Sequence, residues 1–150
     1  MIRPVAWLTL AALAVAALAA PTAMSPAALD PASAAALERS EPLIEEDRCC
    51  EALPDLKDLA VALPDDPDVF NMLGYVHRKM DDLDLSAEHY ARALSLDANH
   101  LGALEYQGEL FLQQGDLDRA MGNLARLAAL CGTCEERHEL DAAIRALQAP

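Results

Sequence analysis

From Pro67 to Cys134 the chain repeats itself at a spacing of 34 residues, and this internal period limits its possible folds more than any other feature. Leu73-Gly74 falls opposite Gln107-Gly108, Leu83-Asp84 opposite Leu117-Asp118, Tyr90 opposite Leu124, and Ala91-Arg92 opposite Ala125-Arg126. Each copy holds two stretches with helical spacing. In the first, Phe70, Leu73, Gly74 and His77 recur at three and four residues and share one helical stripe. In the second, Ala87, Tyr90, Ala93, Leu94 and Leu96 form the stripe that faces it. A mid-helix Gly costs about 1 kcal/mol against Ala, so Gly74 and Gly108 imply the close approach of another backbone. One such helical pair cannot bury its own apolar face, and stacking of copies supplies the core. A period of this length with two helices per unit predicts an all-α stack of helix-turn-helix units.

At these residues the chain resembles the tetratricopeptide repeat (TPR) family. The family pattern W-x2-L-G-x2-Y, A-x3-F, P reads as Phe70-x2-Leu73-Gly74-x2-His77 and Ser86-x3-Tyr90, then as Leu104-x2-Gln107-Gly108-x2-Phe111 and Ala120-x3-Leu124. His77, Ser86 and Gln107 depart from it, as do Ala98 and Gly132 at the Pro position. The resemblance implies a short right-handed solenoid of antiparallel helix pairs, with repeats over 67–100 and 101–134. It also implies that a protein or peptide partner binds the concave side lined by the first helices. On that basis the candidate partner-binding residues are Asn71, Tyr75, Arg78, Lys79, Glu105, Glu109 and Leu112. The first four form a polar, basic patch with one aromatic, and Tyr and Arg are frequent interface anchors. The family's clamp for peptide carboxylates needs basic and Asn residues from several repeats, and Glu105 and Glu109 contradict it.

Counting back one period places Ala52, Leu56 and Leu59 where Ser86, Tyr90 and Ala93 stand, so residues 47–66 read as a degenerate half repeat. Pro54 is expected to kink its helix or delay the start. Its upstream partner is not legible, because Ala36, Arg39 and Ser40 occupy the places of an aromatic, Leu and Gly. Residues 20–46, rich in Ala and Pro, read as a linker with at most one short helix, Pro31 to Arg39, capped by Asp30. At the other end Leu140, Ala143, Ile144 and Leu147 share a stripe, which predicts a capping helix over 135–148 with a polar outer side. Thr133 and Glu136 fit a capping box that starts this helix near Cys134. One half repeat, two full repeats and a cap come close to the minimum for stability, which leaves self-association open.

Residues 1–19 read as an export signal: Arg3, an apolar run from Val5 to Ala19, and the small-x-small triplet Ala17-Leu18-Ala19. Cleavage is expected before Ala20, giving a periplasmic or secreted protein with no membrane contact in its mature form; left uncleaved, the run becomes an N-terminal anchor. Removing Arg3 leaves 10 basic against 25 acidic residues, a net charge of −15. That balance argues against nucleic acid and anionic lipid as partners.

Four cysteines occur as Cys49-Cys50 and Cys131-x2-Cys134. In an exported chain an even count points to disulfides. A link between the two pairs would have to cross two repeats, so a local Cys131 to Cys134 bridge is expected. Cys49 and Cys50 cannot bridge each other within a helix without strain, and either core burial or an interchain link accounts for them. An alternative set, Cys131, Cys134 and His138, has donors suited to copper(I) or zinc, or to thiol redox work. His77 is expected as a packed, hydrogen-bonded core residue. The sequence holds no Ser-His-Asp set, glycine-rich phosphate loop or spaced carboxylate pair, so no catalytic residue and no cofactor is expected. The expectation is a non-catalytic interaction adaptor, with the metal or redox accessory role as its alternative.

Overall fold

The computed structural model describes residues 30–149, and the expected signal over 1–19 lies outside that range. The described residues form α1 (Pro31–Glu45), α2 (Cys49–Ala62), α3 (Pro67–Lys79), α4 (Leu83–Leu96), α5 (Leu101–Gln113), α6 (Leu117–Cys131) and α7 (Glu135–Gln148), with no strand among them. Consecutive helices pair as α1/α2, α3/α4 and α5/α6; the pairs stack in order, and α7 packs on α5 and α6.

The turn inside each pair is the same turn three times. A residue with left-handed backbone follows the first helix at Asp47 (φ 60°), Asp81 (φ 63°) and Gly115 (φ 75°), at intervals of one period. Asp tolerates this conformation better than most side chains do, because it is short and polar. The next amide in each case reaches back to the helix end: Arg48 N–H donates to Leu43 O at 2.8 Å, Asp82 N–H to His77 O at 2.9 Å, and Asp116 N–H to Phe111 O at 2.8 Å. These bonds satisfy carbonyls that a helix end leaves open. Asp82 and Asp116 then cap the second helices by accepting from Leu85 N–H and Arg119 N–H. A further bond recurs between units, where Arg92 Nη2 donates to Pro64 O at 2.8 Å and Arg126 Nη2 to Ala98 O at 2.5 Å. Each pins a second helix to the end of the unit before it.

The recurrence at Asp47 corrects the reading of the N-terminal region. Residues 47–66 are not an isolated half repeat; α2 has a complete first helix, α1, that runs past Arg39 to Glu45. Asp30 caps it as expected, accepting from Ala32 N–H and Ser33 N–H. Helix α1 buries Ser33, Ala36 and Ser40, small residues that permit close contact with α2 although they carry little hydrophobic signal. Ala52, Leu56 and Leu59 are fully buried in the facing helix. Pro54 sits exposed within α2 and does not delay its start at Cys49.

Two apolar clusters make the core. One joins Ala36, Cys49, Ala52, Leu56, Leu59, Val69, Leu73 and Val76, and the other joins Leu104, Ala120, Leu127, Leu140 and Ile144. Tyr90, fully buried, crosses at Gly74, where an added Cβ would come 2.5 Å from the ring. Gly108 is crowded equally by Leu140, at 2.5 Å. Both glycines are therefore tight crossing points, but what approaches them is a side chain, the Tyr90 ring or Leu140, and not the expected backbone. In α7 only Leu140 and Ile144 are buried, while Leu147 in the last turn is 59% exposed and does not join the expected buried stripe. The cap of α7 also differs from expectation: Cys134 occupies it, with no side-chain capping bond, so the Thr133–Glu136 box does not form.

Candidate functional site

The first helices α1, α3 and α5, together with α7, line one side of the stack. Between α3, α5 and α7 this side sinks into a groove of about 660 Å³. The one-sided stripe of each helix explains the placement. Leu73, Val76, Leu104 and Leu110 turn inward, and the positions between them are left to face the groove. Asn71, Tyr75, Arg78 and Lys79 come from α3, Gly102, Glu105, Tyr106 and Glu109 from α5, and Glu135, Glu136 and Glu139 from α7.

Arg78 is the hub of the groove wall. Its side chain is only 10% exposed, its Nη2 forms an ion pair with Glu109 Oε2 at 2.6 Å, and its guanidinium lies 5.4 Å from the Tyr75 ring and 5.8 Å from that of Tyr106. The two rings are themselves 5.2 Å apart. Lys79 turns toward Asp47, 3.0 Å away, and that bond raises the pKa of its ammonium. Five carboxylates line the groove against these two engaged cations. Burial, reinforced by Glu109, Glu136 and Glu139, pushes the Glu105 carboxyl up to about 8. Burial likewise raises the Tyr106 hydroxyl. A second hollow, bordered by Glu41, Ile44, Glu45, Met72, Tyr75 and Tyr106, continues the concave side across α1.

Solved structures with this architecture are numerous. MamA (residues 41 to the end) from Desulfovibrio magneticus RS-1 superimposes with a TM-score of 0.62 at 21% identity, over 65% of this chain. The chain spans 55% of that MamA fragment. The first TPR of Spaghetti (RPAP3), bound to the HSP90 peptide SRMEEVD, gives 0.67 at 16% identity over 78% of this chain and 94% of its own. The Yersinia enterocolitica type III secretion chaperone SycD, in complex with a peptide of the translocator YopD, gives 0.65 at 20% identity over 84% and 96%. The fold is that of the tetratricopeptide repeat. No family model and no curated protein matches the sequence.

Of the seven residues named from repeat position, six line the one groove of this tetratricopeptide array, and Leu112 instead packs into the α5–α7 core. The expected basic patch does not exist as such, because Arg78 and Lys79 are each held by a carboxylate. Tyr106 and the three α7 carboxylates are the members missed. One further step of the same period would have found two of them, since Glu136 and Glu139 stand 34 residues after Gly102 and Glu105.

The histidines and cysteines lie elsewhere in the array. His77 is buried and stacks on His89 at 5.2 Å, but its Nδ1 has no hydrogen bond, which corrects the expectation of a bonded ring; Asp82 stands 3.5 Å away. Burial, with His77 alongside, lowers the pKa of His89. His100, left unassigned by the sequence, caps α5 by accepting from Ala103 N–H at 3.1 Å and touches Asp68 at 2.8 Å. Cys131 and Cys134 lie with their sulfurs at bonding distance and their α-carbons 5.6 Å apart, at the α6–α7 turn. Among the described residues no three His, Cys, Asp or Glu side chains gather at ligating distance, so Cys131, Cys134 and His138 do not converge on a metal. Cys49 belongs to the core, and Cys50 is exposed.

Proposed function

We propose that this protein is a non-catalytic adaptor of the cell envelope that holds an extended segment of a protein partner in its concave groove. The observation that carries the reading is the groove itself, which places six of the seven position-derived residues on one surface beside a close tyrosine pair. Peptides accompany two of the similar structures, Spaghetti and SycD, which supports a peptide or protein as the partner class. Export rests on the apolar run over Val5 to Ala19 and its small-x-small triplet. An oxidising compartment agrees with a disulfide between Cys131 and Cys134, which would clip the last repeat to its cap.

Affinity capture from the native envelope tests the reading. Tyr75→Ala with Tyr106→Ala is expected to lose the specific partner that the unaltered chain retains, at about tenfold or greater loss of affinity. Undiminished capture by the double variant removes the concave face from consideration. The exported chain purified for that experiment is expected to begin at Ala20 and, unfolded without reductant, to expose two alkylatable thiols, those of Cys49 and Cys50. A chain that begins at Met1, or one that exposes four thiols, contradicts the export or the bridge respectively.

A further inference from the structure

Glu105 is only 7% exposed, and among the described residues its carboxylate accepts no hydrogen bond and meets no cation in an ion pair. It opens onto the groove between α3, α5 and α7, where Glu109, Glu136 and Glu139 also stand. A mostly buried carboxyl with no cation beside it is costly to ionise, because the charged form loses part of its water and gains no partner in return. The nearby positive charges are already committed. Arg78 bonds Glu109 at 2.6 Å and Lys79 bonds Asp47 at 3.0 Å. A second acceptor on the same wall, Asn71 Oδ1, is buried with no donor. The groove thus presents unmet acceptors at Glu105 and Asn71 Oδ1 beside one unmet donor, Arg78 Nε, and its carboxylates outnumber its cations.

We propose that the groove seats a cationic side chain, a lysine ammonium or an arginine guanidinium, from an extended segment of the partner, between Glu105, Glu109, Glu136 and Glu139 and against the ring of Tyr106. The proposal rests on the concave-face reading above and gives that reading a ligand chemistry. Three features favour it over other occupants. First, an ammonium or guanidinium supplies several donors at once, which is what Glu105 and Asn71 Oδ1 lack. Second, the paired rings of Tyr75 and Tyr106 offer aromatic faces that attract cations, and Arg78 already exploits both at 5.4 and 5.8 Å. Third, the carboxylates do not close on one point: no three ligating side chains among the described residues come together as a metal ion requires. They suit a donor spread along a chain. An acidic segment such as the SRMEEVD peptide in the Spaghetti complex would here face five carboxylates.

The protonation of Glu105 supplies a signature. The groups facing it are Glu109 on its own helix, Glu136 and Glu139 on α7, and Arg78 on α3; only Arg78 opposes the rise. Burial and the neighbouring carboxylates hold Glu105 protonated below about 8. A cation prefers the carboxylate, so binding expels a proton and tightens as pH rises through that value.

The test uses the full exported chain and three degenerate pools of acetylated, amidated peptides of about ten residues, their central pair fixed as Lys/Arg, Asp/Glu or Leu/Phe. NMR follows the Tyr75 and Tyr106 ring protons and the Glu105 carboxyl carbon, and calorimetry in two buffers of different ionisation enthalpy counts protons released. The Lys/Arg pool is expected to shift both rings and bind tighter at about pH 9 than at about pH 6, with Glu105→Gln weakening it about tenfold or more and abolishing the proton release. Binding of that pool unchanged by Glu105→Gln overturns the seat. If the acidic or apolar pool moves the rings while the Lys/Arg pool does not, the cationic chemistry is overturned and the concave face survives. If no pool moves either ring, the concave-face reading falls with it. Gln is isosteric with the protonated carboxyl and takes away the charge that would otherwise form above about 8, so loss of folding does not confuse the comparison.

Discussion

Gly74 and Gly108 stand one period apart, and each marks a tight helix crossing, yet the two crossings are filled from different places. At Gly74 the filler is the ring of Tyr90, from the second helix of the same unit. At Gly108 it is Leu140, from α7. The counterpart of Leu140 one period earlier is Tyr106, whose ring lies 5.2 Å from Tyr75 on the groove wall. The polar ties differ as well. Ser86 Oγ donates to Gly74 O at 2.8 Å in the α3/α4 unit, whereas Ala120 holds that position in the α5/α6 unit. There Asn123 Nδ2 donates instead to Leu104 O at 2.9 Å and to Gln107 Oε1 at 3.1 Å. Gln107, a departure from the Leu of the family pattern, is thereby answered by Asn123, while Leu73 one period earlier is accompanied by His89. The α3/α4 unit closes on itself; the α5/α6 unit borrows from the helix that follows.

The largest expected effect separates the two glycines. Gly74→Ala drives a Cβ into a stiff, fully buried ring and is expected to cost about 3 kcal/mol. Gly108→Ala meets the tip of a leucine that can rotate, and the better helix propensity of Ala returns part of the cost, so about 1 kcal/mol is expected. Urea midpoints of the two variants measure the difference, and equal losses would break the comparison.

Next comes the Gln107 and Asn123 pair. Asn123→Leu alone strands the Gln107 amide and is expected to lose about 2 kcal/mol. Together with Gln107→Leu the loss should fall by about 1 kcal/mol or more below the sum of the two single changes. Strict additivity in that double-mutant cycle would show that the two departures from the pattern are independent.

The smallest effect concerns Glu105, whose counterpart in the α3/α4 unit is the neutral Asn71. Because the folded chain raises this carboxyl from 4.5 to about 8, its contribution to stability is fully present below about 4.5 and is lost as pH rises through about 8. Glu105→Gln should therefore match the parent near pH 4 and exceed it near pH 9 by on the order of 1 kcal/mol. Denaturant titrations at the two values decide it; a variant less stable at the higher value contradicts an unpaired buried carboxylate.

The stack of helix pairs was legible because its signal is periodic: Gly74 and Gly108 mark crossings, and repeat position brings Asn71, Tyr75, Arg78, Glu105 and Glu109 to one groove. The first helix was obscured because Ser33, Ala36 and Ser40 pack by being small, and burial of small residues leaves little hydrophobic trace. The turn residue carries the period that the helix lacks, since Asp47 stands one period before Asp81. The charge of the groove was misread for another reason. Arg78 and Glu109 belong to different units, and only three-dimensional packing brings them to 2.6 Å.

Leu140 seated at Gly108 also settles how this stack can be lengthened. A unit grafted after α6 would have to bring its own apolar side chain to the same place, or leave a hole beside the glycine. A unit inserted ahead of α7 therefore keeps this crossing filled only if it carries an apolar side chain in the register of Leu140.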